Sequence, residues 1–123
     1  MSVYVDELFV AVAKESEARR VGARSGHQWC HLWTDGDLEE LHAFAARIGM
    51  RRAWFQNHAL LPHYDLVPSR RTKAIALGAI VAPVGPELMK RRSAQAEAVA
   101  AAKRRVEEKA NARERRKFEP WRR

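Results

Sequence analysis

Hydrophobic and polar positions along the chain change period several times, and each change marks an element. Val3-Tyr4-Val5 opens with β-branched and aromatic residues, which predicts a short buried strand delivering Asp6 to its C-terminal end. Glu7 to Arg20 predicts a helix, broken by Val21-Gly22-Ala23-Arg24-Ser25-Gly26, a basic loop. Gln28 to Trp33 returns to an aromatic, extended pattern and stops at Thr34-Asp35-Gly36-Asp37, where Thr34 or Asp35 can cap the next helix. From Asp37 to Ile48 the apolar residues Leu38, Leu41, Ala45 and Ile48 recur at helical spacing, and Gly49 supplies a left-handed stop.

Met50 to Asp65 has no clear period and reads as an irregular segment held by Trp54, Phe55, Pro62, His63 and Tyr64. A second short helix starts at Pro68 or Ser69 and runs to Leu77, Gly78 ends it, and Ala79-Ile80-Val81-Ala82 predicts a third strand. Gly85-Pro86-Glu87 starts a last helix, and the Ala, Lys, Arg and Glu content that follows favours helix for ~30 residues, about 45 Å. Because both links between strands contain helices, the expected class is α/β, with a small, mainly parallel three-stranded sheet, flanking helices and a long basic C-terminal helix. The expected division is a domain over residues 1–86 and a tail over residues 87–123.

Charge sharpens that division. The net charge is +8, but residues 87–123 hold 13 Lys/Arg against 6 Glu, while residues 1–86 hold 10 basic and 9 acidic residues. A nearly neutral body therefore carries a cationic tail, and attraction to a polyanion is expected to map to that tail. Cys30 is the single cysteine, which excludes an internal disulfide and a multi-cysteine zinc site and suggests a reducing compartment, the bacterial cytoplasm. The apolar run Leu8 to Ala13 is too short to span a membrane, and Asp6 and Glu7 near the start are unlike a signal peptide.

Several motifs occur together: Tyr4-Val5-Asp6, Cys30-His31-Leu32 beside aromatics, Glu39 to Ala45, Ile48-Gly49, Trp54-Phe55-Gln56, His63-Tyr64-Asp65, and Lys73-Ala74 through Gly78-Ala79. In this combination, from roughly Ser2 to Arg91, the chain resembles domain-of-unknown-function family 4031. The resemblance implies a bacteriophage or prophage origin and, because the family also appears in bacterial proteins joined to a predicted metal-dependent phosphohydrolase domain, a nucleotide or nucleic-acid setting by association. It implies no catalytic assignment. The Glu7 to Gly26 segment and the extended tail read as local additions to the family pattern.

Candidate chemistry centres on His63-Tyr64-Asp65, which offers an imidazole, a phenol and a carboxylate just before a helix. With Asp6 and His31 these residues are expected to form a catalytic pocket at the carboxyl edge of the sheet. Tyr64, Arg70, Arg71 and Lys73 are the expected ligand or phosphate contacts, the last three near a helix N-terminus. Structural roles compete with each assignment. Asp65 can cap or turn the chain, Tyr64 can fill the core, and His31 and His42 can be satisfied buried histidines. His31, His42, His63, Asp6 and Asp65 include enough donors for a metal, yet their spacing matches no ligand signature, and no HExxH, Walker or GxSxG motif occurs.

In the tail, Lys90-Arg91-Arg92, Lys103-Arg104-Arg105, and Arg113 with Arg115-Arg116-Lys117 recur along one helix, and Trp121 near the end can stack on a base or a partner. The expected function is therefore a phage-type accessory protein that binds nucleic acid without sequence specificity, or a nucleotide or other phosphorylated ligand. Two alternatives stand beside it: a hydrolase-like enzyme acting on a phosphorylated small molecule, and an inhibitor or assembly factor that docks on a host or phage protein.

Overall fold

The computed structural model describes residues 2–118. It divides into two compact units, Met1–Leu88 and Met89–Arg123. The first contains β1 (Val3–Val5), β2 (Phe9–Val10), α1 (Ser16–Ala23), β3 (Gln28–Thr34), α2 (Leu38–Arg47), β4 (Tyr64–Leu66), α3 (Pro68–Ala76) and β5 (Ile80–Val81). A 3₁₀ turn at Arg52–Trp54 interrupts the stretch after α2, and α4 runs Val84–Phe118.

The sheet is mixed and has five strands, not the mainly parallel three-stranded sheet expected from the pattern. β3 is antiparallel to β1, β2 and β4, and among the described residues only β1 and β5 run parallel. The expectation failed because a helix in a link does not by itself make a crossover. β2 and β3 are the arms of a hairpin closed by Ala11 N–H donating to the His27 carbonyl at 2.9 Å, and α1 sits inside its connection. After α2 a second hairpin, bridged at Gln56 and His63, reverses the chain again before β4. The helix expected over Glu7 to Arg20 accordingly gives way to β2 at its start, and α1 continues to Ala23 through part of the expected loop.

Alternation along β3 separates two faces. Cys30 and Leu32 point to one, together with Val3, Val5, Tyr64 and Leu66 from the paired strands, and all six are buried. That face packs against Leu41, Ala45 and Ile48 of α2 and its C-cap and against Ala74 of α3. Gly49 and Gly78 stop the two helices as the pattern foretold, but α2 is capped by Asp37 and not by the expected Thr34 or Asp35, both of whose side chains bond instead to the Ser2 backbone. The Asp37 side chain accepts from Glu39 N–H at 3.1 Å at the start of α2, and Gly49 at φ +82° lets Met50 N–H reach the Ala45 carbonyl at 2.9 Å. Gly78 at φ +107° does the same after α3, with Ala79 N–H bonded to the Ala74 carbonyl at 2.9 Å.

Trp29, His31 and Trp33 lie on the opposite face of β3. Trp29 is held by Gly22 of α1 and by an indole N–H donated to the Ala11 carbonyl at 3.0 Å. A methyl group on Gly22 would stand 2.7 Å from Trp29 Cζ2, closer than carbon atoms approach, and the indole is a rigid neighbour. Gly22→Ala is therefore expected to destabilise the fold by about 1–3 kcal/mol in urea unfolding. In a Trp29→Phe background, where that ring atom is gone, the penalty should shrink; equal penalties in both backgrounds would rule out this contact as the cause.

Candidate metal centre

The second face of the sheet gathers the titratable groups. His31 of β3 lies directly opposite Asp65 of β4, and His63, two residues before Asp65, falls on the same face. One donor atom from each of His31, His63 and Asp65 lies within 4.8 Å of the others, and the His63 Nε2 to Asp65 Oδ1 distance is 3.3 Å. Donors about 2.1 Å from one ion stand at most about 4.2 Å apart, so these three close on a common cation through side-chain adjustments below about an ångström.

Each of the three is oriented from behind. Between Val5↔Leu32 and Phe9↔Trp29 the N-terminal chain takes four steps against three on β3, a one-residue bulge. The bulge turns the Asp6 carboxylate onto β3, where Oδ1 accepts from His31 N–H at 2.6 Å and Oδ2 from His31 Nδ1 at 2.7 Å. A carboxylate only accepts, so Nδ1 carries the proton and Nε2 is the free ring nitrogen. His63 Nδ1 donates to the Leu61 carbonyl at 2.7 Å, again leaving Nε2 as the donor atom. Gln56 Nε2 donates to Asp65 Oδ2 at 2.5 Å, leaving Oδ1 toward the histidines. A carboxylate or carbonyl behind each ring nitrogen is the arrangement that fixes the tautomer of metal-ligating histidines.

The rings pack closely. Phe9 stacks on His31 with centroids 5.0 Å apart, and His63 meets His31 edge-on at 5.0 Å. His63 is largely buried, and burial alone lowers an imidazole pKa. Its bonds to Asp65 and to the Leu61 carbonyl outweigh that penalty and hold the pKa above its ordinary value.

Asp65 and Gln56 also line a cavity of about 740 Å³ whose walls include Phe9, Trp29, Trp54 and Arg70. The Arg70 guanidinium lies over the Trp54 ring, 5.3 Å from its centroid. Of the expected phosphate contacts, Arg70 is the one that reaches this cavity. Arg71 is turned away, donating through Nε to the Asp6 carbonyl at 2.9 Å and lying 3.9 Å from Glu7, so that it braces the bulge. Lys73 is exposed on α3.

Tyr64 does not join the site. It lies between His63 and Asp65 in sequence and hence on the other face of β4, 1% exposed, with its hydroxyl 2.6 Å from His42 Nδ1. His42 of α2 belongs to that aromatic packing with Phe55 and Tyr64 and is not among the three converging donors. Asp6 supports His31 instead of acting as a fourth donor. Gln56 and the Leu61 carbonyl escaped the sequence reading; the legible signal was His63-x-Asp65, a period of two that places both side chains on one strand face.

The basic tail positions are at the surface: Lys90, Arg92, Lys103, Arg104, Arg105, Arg113, Arg115, Arg116 and Lys117 are exposed, and Arg91 is half-buried. Lys117 stands 4.0 Å from Glu114. Trp121 lies outside the described residues. No helix among the described residues is long and apolar enough to cross a membrane.

A model of the family described as "Protein of unknown function (DUF4031)" matches residues 3–95, about three quarters of the chain. No curated protein and no solved structure matches it.

Two outcomes follow from the geometry. Zn²⁺ or Mn²⁺ titrated calorimetrically into the metal-free protein should bind one ion per chain; Asp6→Asn is expected to weaken binding about 10–100-fold, and His63→Ala to abolish it. In the metal-free protein the raised His63 pKa contributes stability that is fully present below the unfolded value of about 6.5 and is lost as pH rises through the folded value. Melting temperatures should therefore fall between pH 6 and pH 8 more steeply for wild type than for His63→Gln. Parallel profiles would refute the contribution.

Proposed function

Since the chain belongs to the DUF4031 family, we propose for it a divalent-metal centre of the two-histidine, one-carboxylate type and a hydrolase-like activity on a phosphorylated substrate. The observation that carries this reading is the convergence of His31, His63 and Asp65, each with its remaining polar atom held by a separate partner. Three protein donors leave coordination positions open, as in hydrolytic metal sites, whereas structural sites use four. A divalent ion bound there supplies a Lewis acid and lowers the pKa of a water molecule to near neutrality.

The residues around the donors fit the remaining tasks. Asp6 fixes the His31 ring and raises its basicity as a ligand, and Arg71 holds the Asp6 backbone in the bulge that makes this possible. Arg70 offers a guanidinium to an anionic group in the cavity that Asp65 borders. The aromatic walls from Phe9, Trp29 and Trp54 suit a planar ring, so a nucleotide or another ring-bearing phosphate ester is the preferred substrate class. The nucleotide setting implied by the family resemblance agrees with that choice. Covalent catalysis through Cys30 has no support: the thiol is fully buried on the core face, and burial pushes its pKa up to about 12.

A turnover screen of nucleoside phosphates and bis(p-nitrophenyl) phosphate with Mg²⁺, Mn²⁺, Co²⁺ and Zn²⁺ tests the reading. Phosphate release should require the metal and fall at least 100-fold in His63→Ala and Asp65→Ala, while Arg70→Ala should raise KM about tenfold with a smaller effect on kcat. Unchanged rates in the two ligand variants would remove the proposal.

A further inference from the structure

We infer that the cationic face of α4 binds the phosphate backbone of duplex nucleic acid, independently of the metal centre. At 100° per residue, the described part of the tail, residues 89–118, places eight Lys/Arg and no Glu on one arc of about 160°. The rest of its circumference carries three Lys/Arg and all four Glu. Charge is thus segregated around the helix as well as along the chain. Arg92, Lys103, Arg105, Lys109, Arg113 and Arg116 of this arc are exposed.

The length and the apolar content of the helix favour this occupant. Arg92 to Arg116 spans about 36 Å at 1.5 Å per residue, close to one turn of a duplex, so the arc can follow several phosphates. Val99 and Val106 lie in the middle of the arc one heptad apart, exposed. A second copy packed on them would press the flanking cations of the two helices together, which disfavours self-association through this face. Met89 and Phe118, the other large exposed apolar residues of the tail, fall on a different line of the helix, so no continuous apolar face is available to enter a lipid surface. An arc this rich in positive charge draws its affinity mainly from phosphates, a contact that carries no sequence information.

Two charge-matched variants of the full chain test this. One carries Lys103→Gln, Arg105→Gln and Arg113→Gln on the arc; the other carries Lys90→Gln, Arg104→Gln and Arg115→Gln on the reverse. Glutamine keeps helix propensity, and circular dichroism checks that α4 is retained in both. In fluorescence-anisotropy titrations of a mixed-sequence 24-base-pair DNA duplex, wild type should bind with an affinity that falls steeply from 50 to 200 mM salt. The arc variant should lose at least tenfold at 100 mM salt, and its slope of log affinity against log salt should drop by about three. The reverse variant should stay within about twofold, and His63→Ala should bind like wild type. Equal losses in the two triple variants, salt-independent binding, or no binding at 50 mM salt would overturn the inference. So would tighter, arc-dependent binding to phosphatidylserine vesicles or to polyglutamate than to the duplex.

Discussion

The Asp6 carboxylate is the constraint on which the second face of the sheet depends. A carboxylate with 8% of its side chain exposed needs partners, and both of its oxygens are satisfied by one residue, the backbone and ring N–H groups of His31. Only a bulge lets a side chain from the neighbouring strand reach a backbone N–H on β3, because regular pairing would fill that N–H with a carbonyl. Arg71, reaching across from α3 to the Asp6 carbonyl, ties the bulge to the layer that covers the core. The local irregularity, the tautomer of His31 and the packing of α3 are therefore one structural decision.

Half of the fold was legible before the structure, and the half that was not has a definite cause. β1, β3, α2, α3 and β5 each announce themselves within a few residues, through β-branched runs, helical spacing, a proline at a helix start or a glycine stop, and these signals are local. Strand direction is not local. It is decided by how often the chain reverses between pairings, and the two hairpins that set it, through Ala11 with His27 and Gln56 with His63, are made by backbone bonds that leave no side-chain signature. The same reasoning explains why β2 was read as helix: Phe9 and Val10 form only two paired positions on an exposed edge, too few to impose a period.

The candidate site was legible in its members and illegible in their roles. His31, His63, Asp65 and Asp6 were all foreseen, yet grouping His63-Tyr64-Asp65 as one unit overlooked strand alternation. Once residue 64 is buried beside Leu32, residues 63 and 65 must face away from the core. Spacing along the sequence could not reveal this candidate donor set because its members meet across strands, at His31↔Asp65, and not within one helix or loop. A signature such as HExxH exists only where one element carries its ligands.

Cys30 shows how the two faces also select the chemistry. It is one residue from His31 and thiolates bind zinc well, but alternation sends it to the core, where burial pushes the thiol pKa up to about 12 and keeps it neutral. The donors that remain are two imidazole nitrogens and one carboxylate oxygen. Such a set discriminates against ions that demand soft sulfur ligands and suits zinc, manganese or ferrous iron. A one-residue shift of β3 in register would exchange Cys30 and Leu32 for Trp29, His31 and Trp33, placing an imidazole and two indoles among Val5, Leu66 and Leu41. The packing that builds the core thereby excludes the thiolate and keeps the nitrogen ligands on the face where Asp65 stands.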